Sequence, residues 1–309
     1  MEDVGAFRDA LLAWYGDSRR DLPWRRTKDP YAILVSEVLL QQTRIATAES
    51  YYRRFMDRFP TLQALARADS EEVLHVWEGL GYYHRARRLH VAAKEIVRNH
   101  GGRVPRHPDA LRALPGVGPY TAGAVASIAF GHRTPAVDGN VTRVLARVYR
   151  IEEDVTRSST KRLVRAHATR LVPDGEPGTF NQALMELGAL VCLPKRPRCE
   201  ACPVLPRCQA RATRVETSLP RRGKASAVPT VAAAFALLER GDEVLLVRRA
   251  EDQLLGGLWA LPGGEVAGTD SPEQELLRLL RERHGVNARP GPEIGHQIHT
   301  FSHKRWDAV

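Results

Sequence analysis

The chain has 309 residues, 43% hydrophobic and 27% charged, which suits two globular domains and is too apolar for general disorder. It contains no apolar run long enough for a transmembrane helix, and the opening MEDVGAFRDALLAWYG carries acids where a secretion signal carries basic residues and then an apolar stretch. The net charge of +10 is uneven: residues 1–225 hold 37 basic and 24 acidic side chains, and residues 226–309 hold 9 and 12. A basic first part fits a polyanionic partner, nucleic acid before others, although a basic solvated face gives the same count.

In chain order, apolar residues recurring at three and four positions predict helices at Phe7–Tyr15, Tyr31–Phe55, Ser70–Leu80, Arg85–Asn99, Thr121–Ala129, Val141–Tyr149, Thr160–Leu171 and Thr179–Val191. Short breaks such as Phe59-Pro60 and Val104-Pro105 separate them. Residues 1–210 are therefore expected to be mainly α. The polar, basic stretch 211–229 (RATRVETSLPRRGKASAVP) reads as a linker. After it the period shortens. Val231–Leu238 and Val244–Arg249 predict two strands joined by the turn Arg240-Gly241-Asp242, and Pro272–His284 returns to helix. Residues 230–309 thus read as a small α/β or α+β domain.

The four cysteines fall at Cys192-x6-Cys199-x2-Cys202-x5-Cys208. Four thiolates in one compact loop, stiffened by Pro194, Pro197, Pro203 and Pro206, can close on one metal centre. Zinc usually takes two short-spaced pairs on separate knuckles, so the loop suits a cubane iron–sulfur cluster at least as well. Two disulfides fit least in a chain without the layout of a secretion signal.

Between two helical patterns lies Leu114-Pro115-Gly116-Val117-Gly118-Pro119-Tyr120. Two glycines in a tight turn expose backbone N–H groups, and the following helix adds its N-terminal dipole, which together suit a phosphate. A plain helix–helix connection gives the same pattern. Glu37 is the only acid between Asp29 and Glu49, and apolar residues flank it. Burial there would raise its pKa, as a general acid needs, unless it sits on a polar side with Ser36 and Gln41. Asp138 precedes a helix, where Asp is also a favoured N-cap. Its functional alternative is a carboxylate facing the cationic sugar that forms when an N-glycosidic bond breaks.

Arg20-Asp21-Leu22-Pro23-Trp24-Arg25, SEVLLQQT (36–43), Gly79-Leu80-Gly81-Tyr82-Tyr83, LPGVGPYTAGA (114–124), VDGNV (137–141) and the cysteine loop occur in this order. Together they closely resemble the MutY adenine DNA glycosylases of the helix-hairpin-helix superfamily, strongly over residues 7–210 and more weakly to the end. The resemblance implies excision of adenine mispaired with 8-oxoguanine or guanine in duplex DNA. It implies a protein acting as a monomer, off membranes, in the cytoplasm and at the nucleoid in a bacterium. Glu37 would protonate adenine at N7, and Asp138 would stabilise or trap the sugar cation, with Asn140 and Tyr120 shaping the site. Leu22, Trp24 and Arg25 would line the pocket for the extruded adenine, with Gln182 as a polar contact. Gln42 and Tyr82 would wedge into the base stack, Thr43 would contact the opposite base, and Gly116 and Gly118 would hold phosphate. Cys192, Cys199, Cys202 and Cys208 would ligate a 4Fe–4S cluster that supports DNA binding. The endonuclease III relatives carry a Schiff-base lysine at the point occupied here by Tyr120, and residues 96–160 contain no lysine. A monofunctional glycosylase without a lyase step is therefore expected.

Residues 230–309 resemble the Nudix-like domain with which MutY proteins check for 8-oxoguanine, through Gly256-Gly257-Leu258-Trp259-Ala260-Leu261-Pro262-Gly263-Gly264-Glu265. Aligned on Gly285, the Nudix hydrolase box falls on Gly264, Asp270, Arg278, Leu279, Leu280, Glu282 and Arg283. Leu279 and Arg283 replace two carboxylates that a magnesium site needs, so recognition is expected, not pyrophosphate hydrolysis. Phe301-Ser302-His303 matches a motif of the family and assigns Ser302, with His303, to 8-oxoguanine, although one tripeptide also fits a loop at a strand end. Relatives continue for further strands beyond the position of Val309, so an incomplete domain with an open sheet edge is expected. Three rivals are weaker. Tyr120 opposes an endonuclease III-like pyrimidine glycosylase/lyase, intact Glu37 and Asp138 oppose an inactive DNA-binding protein, and the degraded box opposes a nucleotide pyrophosphatase.

Overall fold

A computed structural model describes residues 3–223, 227–250, 253–266 and 271–309. The chain forms two compact units that divide after Gly223. In the first, helix α1 (Val4–Ser18) starts at Asp3, whose carboxylate accepts from the Ala6 N–H at 2.8 Å. Phe7, Leu11 and Tyr15 recur every fourth residue and form one buried stripe. Helix α2 (Pro30–Leu39) opens with Pro at its first position behind the Asp29 cap, and every residue from Tyr31 to Leu39 is buried. It is a central helix, buried all round apart from its first residue, not an amphipathic surface helix.

The single helix expected over Tyr31–Phe55 is two. Helix α3 (Ile45–Arg58) follows a turn in which Gln42 adopts φ 58°. No Gly or Pro marks this break in the sequence. A tertiary contact holds it open: the Arg85 guanidinium donates to the carbonyls of Val38, Leu39 and Gln41. Helices α4 (Leu62–Arg67), α5 (Ser70–Val76), α6 (His84–Asn99) and α7 (Pro108–Arg112) follow. The periodic pattern did not mark α4 and α7, which span barely a turn or two. The glycine turn then leads into α8 (Pro119–Phe130), whose first residue is again a proline. Gly116 has φ 78°, and a Cβ there would meet the Arg88 Cβ at 2.6 Å, so the close approach requires glycine.

Helix α9 (Gly139–Val148), α10 (Ser158–Leu171) and α11 (Pro177–Leu190) share a core with α1, built from Phe7, Leu11, Val144, Leu145, Val164, Phe180, Leu184 and Leu187. Complete burial of each such side chain stabilises the fold by about 1.5–3 kcal/mol. Gly188 lets α11 approach α9, since a Cβ there would lie 2.6 Å from the Asn140 Cβ. The cysteine loop ends in the short helix α12 (Gln209–Ala212). Residues 211–223, expected as linker, pack onto this unit. Leu219 is only 2% exposed and its carbonyl accepts from Arg147 Nε at 2.9 Å, while the Val155 N–H donates to the Arg221 carbonyl at 3.1 Å. Backbone bonds and one buried leucine hold the segment, a pattern that composition does not reveal.

The second unit contains β1 (Thr230–Phe235), β2 (Glu239–Arg240), β3 (Glu243–Val244), β4 (Val247–Arg248), β5 (Trp259–Ala260), β6 (Gly263–Glu265), α13 (Pro272–His284), β7 (Gln297–Thr300) and β8 (Arg305–Ala308). The turn at 240–242 does join a hairpin, but a short one of β2 and β3. β1 ends earlier than expected and lies between β6 and β8, in a sheet ordered β6-β1-β8-β7. β1 is parallel to β8, with Thr230 opposite Arg305. Ala233 and Ala234 of β1 are both buried, and α13, whose Leu279 and Leu280 are buried too, packs against this strand. β8 is thus paired on both sides, and the described edges of this sheet are β6 and β7.

Candidate active site

A cleft of about 630 Å³ in the first unit brings together Leu22, Trp24, Arg25, Glu37, Gln42, Thr43, Tyr120, Asp138, Asn140 and Gln182, all singled out in the sequence. Glu37 projects from α2 and is 5% exposed. The Tyr120 hydroxyl, at the start of α8, donates to Glu37 Oε2 at 2.6 Å and lies 3.2 Å from Met185 Sδ. Burial pushes the Glu37 carboxyl up to about 7; the phenol's hydrogen bond and Arg25 pull against this, and the Asp138 charge adds to it. A carboxylic acid that keeps its proton near neutrality in the lining of a cleft is suited to general acid chemistry.

Asp138 is the N-cap of α9. Its Oδ1 accepts from the Val141 N–H at 2.7 Å and its Oδ2 from Asn140 Nδ2 at 2.8 Å. Burial pushes this carboxyl up, while these donors favour the anion. The capping and functional readings of Asp138 are therefore compatible: capping uses one oxygen and aims the carboxylate into the cleft. Arg143, one turn along α9, donates to Asn140 Oδ1 at 2.8 Å, to the Gly188 carbonyl at 2.8 Å and to the Cys192 carbonyl at 2.7 Å. One guanidinium thus ties the capping turn to α11 and to the first residue of the cysteine loop.

Elsewhere in the cleft is a group that sequence reading left unassigned. Glu186 on α11, 1% exposed, accepts from the Arg20 N–H and from both guanidiniums, Arg20 Nη2 at 2.6 Å and Arg25 Nη2 at 2.8 Å among them. Burial alone would raise this carboxyl, but the Arg20 and Arg25 hydrogen bonds bring it down to about 2. Arg25 also lies 5.5 Å from the Tyr15 ring centroid, and the Tyr15 hydroxyl donates to Gln182 Oε1 at 3.0 Å. Trp24 meets Tyr52 edge-on at 5.3 Å. Met185, Arg143 and Arg222 also line the cleft and were not anticipated. An acid inside the apolar run Leu184-Met185-Glu186-Leu187 carries the same signal that marked Glu37.

Gln42 and Thr43 sit on the turn after α2, and Gln41 Nε2 ties that turn to Thr121 Oγ1 at 3.3 Å. Tyr82 is outside the cleft lining, 39% exposed, on a turn of its own with φ 49°. Gly116 and Val117 line a smaller hollow with His84, Arg85 and Arg88, so cationic side chains accompany the glycine turn; Gly118 caps α8. In the second unit, Ser302 and His303 are exposed at the tip of the β7–β8 hairpin, which the Phe301 N–H closes on the Lys304 carbonyl at 2.8 Å. Of the degraded Nudix box, Asp270 lies outside the described residues. Arg278 bonds both Glu275 and Glu282, and Leu279 and Leu280 are core.

The four cysteines are free thiols, each half-buried. Cys192 Sγ accepts from Arg147 Nη1 at 3.2 Å. The backbone N–H of Val204 points to Cys202, and those of Arg211 and Ala210 to Cys208. Burial pushes the thiols of Cys199, Cys202 and Cys208 up, Cys202 to about 12, so a cationic centre is needed to hold them as thiolates. Among the described residues no three His, Cys, Asp or Glu side chains are grouped so as to hold a metal ion. An all-sulfur donor set supported by N–H groups fits a polynuclear iron–sulfur group.

Helices surrounding a cleft with a buried acid, a glycine turn opening α8 and an Asp-capped helix beside it define a base-excision glycosylase fold. A family model described as HhH-GPD superfamily base excision DNA repair protein matches residues 35–173, and a NUDIX domain model matches residues 233–309. The chain is 41% identical to the adenine DNA glycosylase of Homo sapiens, covering 98% of this chain and 66% of that protein. It is 41% identical to that of Rattus norvegicus (98% and 69%) and 32% to that of Buchnera aphidicola subsp. Schizaphis graminum (97% and 85%). Among solved structures it is similar to a thermostable thymine-DNA glycosylase, with TM-score 0.63 and 31% identity over 69% of this chain and 98% of that one. It is also similar to an endonuclease III in a non-covalent complex with DNA, with TM-score 0.58 and 26% identity over 69% and 97%. The chain belongs to the adenine DNA glycosylase family, and it spans about two thirds of the length of its human and rat relatives.

Proposed function

We propose that this protein excises adenine mispaired with 8-oxoguanine, or with guanine, from duplex DNA, by base flipping and hydrolysis of the N-glycosidic bond. The observation that carries the proposal is Glu37: a buried acid that keeps its proton to about pH 7, in the same cleft as the Asp138 carboxylate. The reacting bond is shielded inside a duplex, so the adenine must leave the stack. Leu22 and Trp24 receive its faces, and Arg25 and Gln182 its polar edge. Glu37 gives its proton to N7, which makes the base a neutral leaving group as the C1′–N9 bond breaks. The electron pair departs with the base, and the sugar becomes an oxocarbenium-like cation facing Asp138. Water then adds at C1′ and loses a proton to a carboxylate of the pair.

Tyr120 offers no amine, so no Schiff base forms at this position and the product is an abasic site. Gln42 and Tyr82 fill the vacated stack, Thr43 contacts the opposite base, and Gly116 and Gly118 hold backbone phosphate. Ser302 with His303 reads 8-oxoguanine. Leu279 and Arg283, where a hydrolase has carboxylates, favour binding over hydrolysis in the second unit. Cys192, Cys199, Cys202 and Cys208 hold a 4Fe–4S cluster. When bound, it would tie the loop together and support DNA binding more than chemistry. The protein acts as a monomer, in the compartment that holds the DNA.

Single-turnover incubation with a duplex containing one 8-oxoguanine:A pair, read with and without hot alkali, tests this. Cleavage at the adenine that requires alkali and disappears in Asp138→Asn is expected, with a slower reaction on G:A and none on T:A. Absence of excision would overturn the proposal, and strand scission without alkali would overturn its monofunctional part.

A further inference from the structure

The turns that carry Gln42 and Tyr82 are separate in sequence, yet one side chain joins them. Arg85, in the first turn of α6, is 4% exposed. Its Nη1 donates to the carbonyls of Val38 and Leu39 at 3.2 Å each, to that of Gln41, and to Thr43 Oγ1 at 3.3 Å. Its Nη2 donates to the Gly81 carbonyl at 3.3 Å. The guanidinium lies 5.3 Å from the Trp77 ring centroid and 5.4 Å from that of Tyr82, and Trp77 Nε1 donates to the same Gly81 carbonyl at 3.1 Å. None of these bonds runs to a carboxylate, and Nε has no partner among the described residues.

A buried cation without an acid is costly unless carbonyl dipoles and aromatic faces surround it. Here the carbonyls are those at the end of α2, where the helix dipole is negative. The guanidinium fork is what lets one group span both turns, and an ammonium cannot reproduce it. Both turns need such support. Gln42 and Tyr82 each have a left-handed backbone, φ 58° and 49°, which a side chain with a Cβ adopts only when its surroundings enforce it.

We propose that Arg85 is a positioning residue for base extrusion. It locks the Gln42 turn and the Tyr82 turn into one rigid wedge, so that both side chains enter the duplex together. This rests on the reading of the protein as a base-flipping glycosylase. The polar Gln42 and the aromatic Tyr82 then act as a pair set by a third residue that itself touches no DNA.

The test is a double-mutant cycle on the full chain carrying Asp138→Asn, with 2-aminopurine fluorescence in a mispaired duplex as the readout of extrusion. Arg85→Lys is expected to slow extrusion by about tenfold to a hundredfold, while duplex affinity changes far less. In a Tyr82→Ala or Gln42→Ala background the same exchange should cost much less, because the turn it supports no longer contributes. Equal cost in all backgrounds, or a parallel loss of affinity and melting temperature, overturns the proposal and leaves Arg85 a packing residue. Should Arg85→Lys fail to fold, hydrogen exchange on the otherwise unaltered protein serves instead. The Gln42 and Tyr82 amides should gain protection together when mispaired duplex binds, and independent protection overturns the clamp. A protein that extrudes no base from any mispair overturns the glycosylase reading as well, whereas extrusion with additive effects overturns only the role of Arg85.

Discussion

Two glutamates of the same cleft are hidden from water almost equally, yet they end in opposite states. Around Glu37 the polar neighbours are a phenol at 2.6 Å, a second carboxylate and Arg25, which acts only through its charge without a hydrogen bond to this acid, and the acid keeps its proton to about pH 7. Around Glu186 two guanidiniums and a backbone N–H converge, and the acid ionises at about 2. Burial makes a charge expensive in both regions. The neighbours decide whether the charge is removed by a proton or matched by a cation. The region around Glu37 is left poised for proton transfer, and the region around Glu186 becomes a fixed frame that holds Arg20 and Arg25.

The largest expected effect follows from removing the proton donor. Glu37→Gln should lower single-turnover adenine excision by about 10²–10⁴-fold. Its melting temperature should not fall, because the amide keeps the shape and adds no charge to desolvate. A loss of folding parallel to the loss of rate would show that Glu37 is structural. The pH dependence of stability sharpens the contrast. A carboxyl raised from 4.5 to about 7 binds its proton more tightly when folded, so stability falls as pH rises from about 4.5 through 7. Glu186 has the opposite sign: its contribution is present above about 4.5 and is lost as pH falls toward 2. Each shift corresponds to about 3 kcal/mol. Denaturant midpoints across pH should show Glu37→Gln flattening the neutral decline.

Glu186→Gln should cost about 3 kcal/mol of stability, the scale for breaking a buried pair, because it leaves Arg20 and Arg25 without their counter-ion. Guanidinium titration of the folded protein measures this. An unchanged midpoint would mean that the amide oxygen and water satisfy the two arginines without a counter-ion. The smallest effect belongs to Tyr120→Phe. It removes the hydrogen bond that lowers Glu37, so the alkaline limb of the pH–rate profile should move to higher pH. A limb that stays in place would detach it from Glu37.

How far the sequence revealed these features depends on where the determining partner lies. Glu37 was legible because its own neighbours, Ile33 to Leu40, announce burial. Glu186 sends the same signal, but its state is set by Arg20 and Arg25, which lie more than 160 residues away. Asp138 was legible as a cap and as a carboxylate, because helix start signals are local. The break between α2 and α3 was not, because Leu40–Thr43 holds no turn residue and the constraint comes from Arg85. Likewise β1 was legible as a strand, while its parallel partner β8 was not, since no turn joins them. The packing of residues 211–223 rests on backbone carbonyls and on a single buried leucine, Leu219, which make no periodic pattern.

The sheet of the second unit has a further consequence, for the order in which the chain acquires structure. β8 lies between β1 and β7, and its parallel pairing joins residues 75 positions apart, as the Arg305 to Thr230 contact shows. A ribosome delivers about 5–20 residues per second, and domains form from the N-terminus as they emerge. The helices of the first unit can therefore close their core while the second is still being made. β1 must wait, with a row of unpaired amides and carbonyls along one side, until residues 305–308 have cleared the exit tunnel. During that interval the nascent chain presents a bare strand edge, although its first unit has already folded. Slow translation between positions 235 and 305 should raise aggregation of this protein more than the same delay placed anywhere in its first 220 residues.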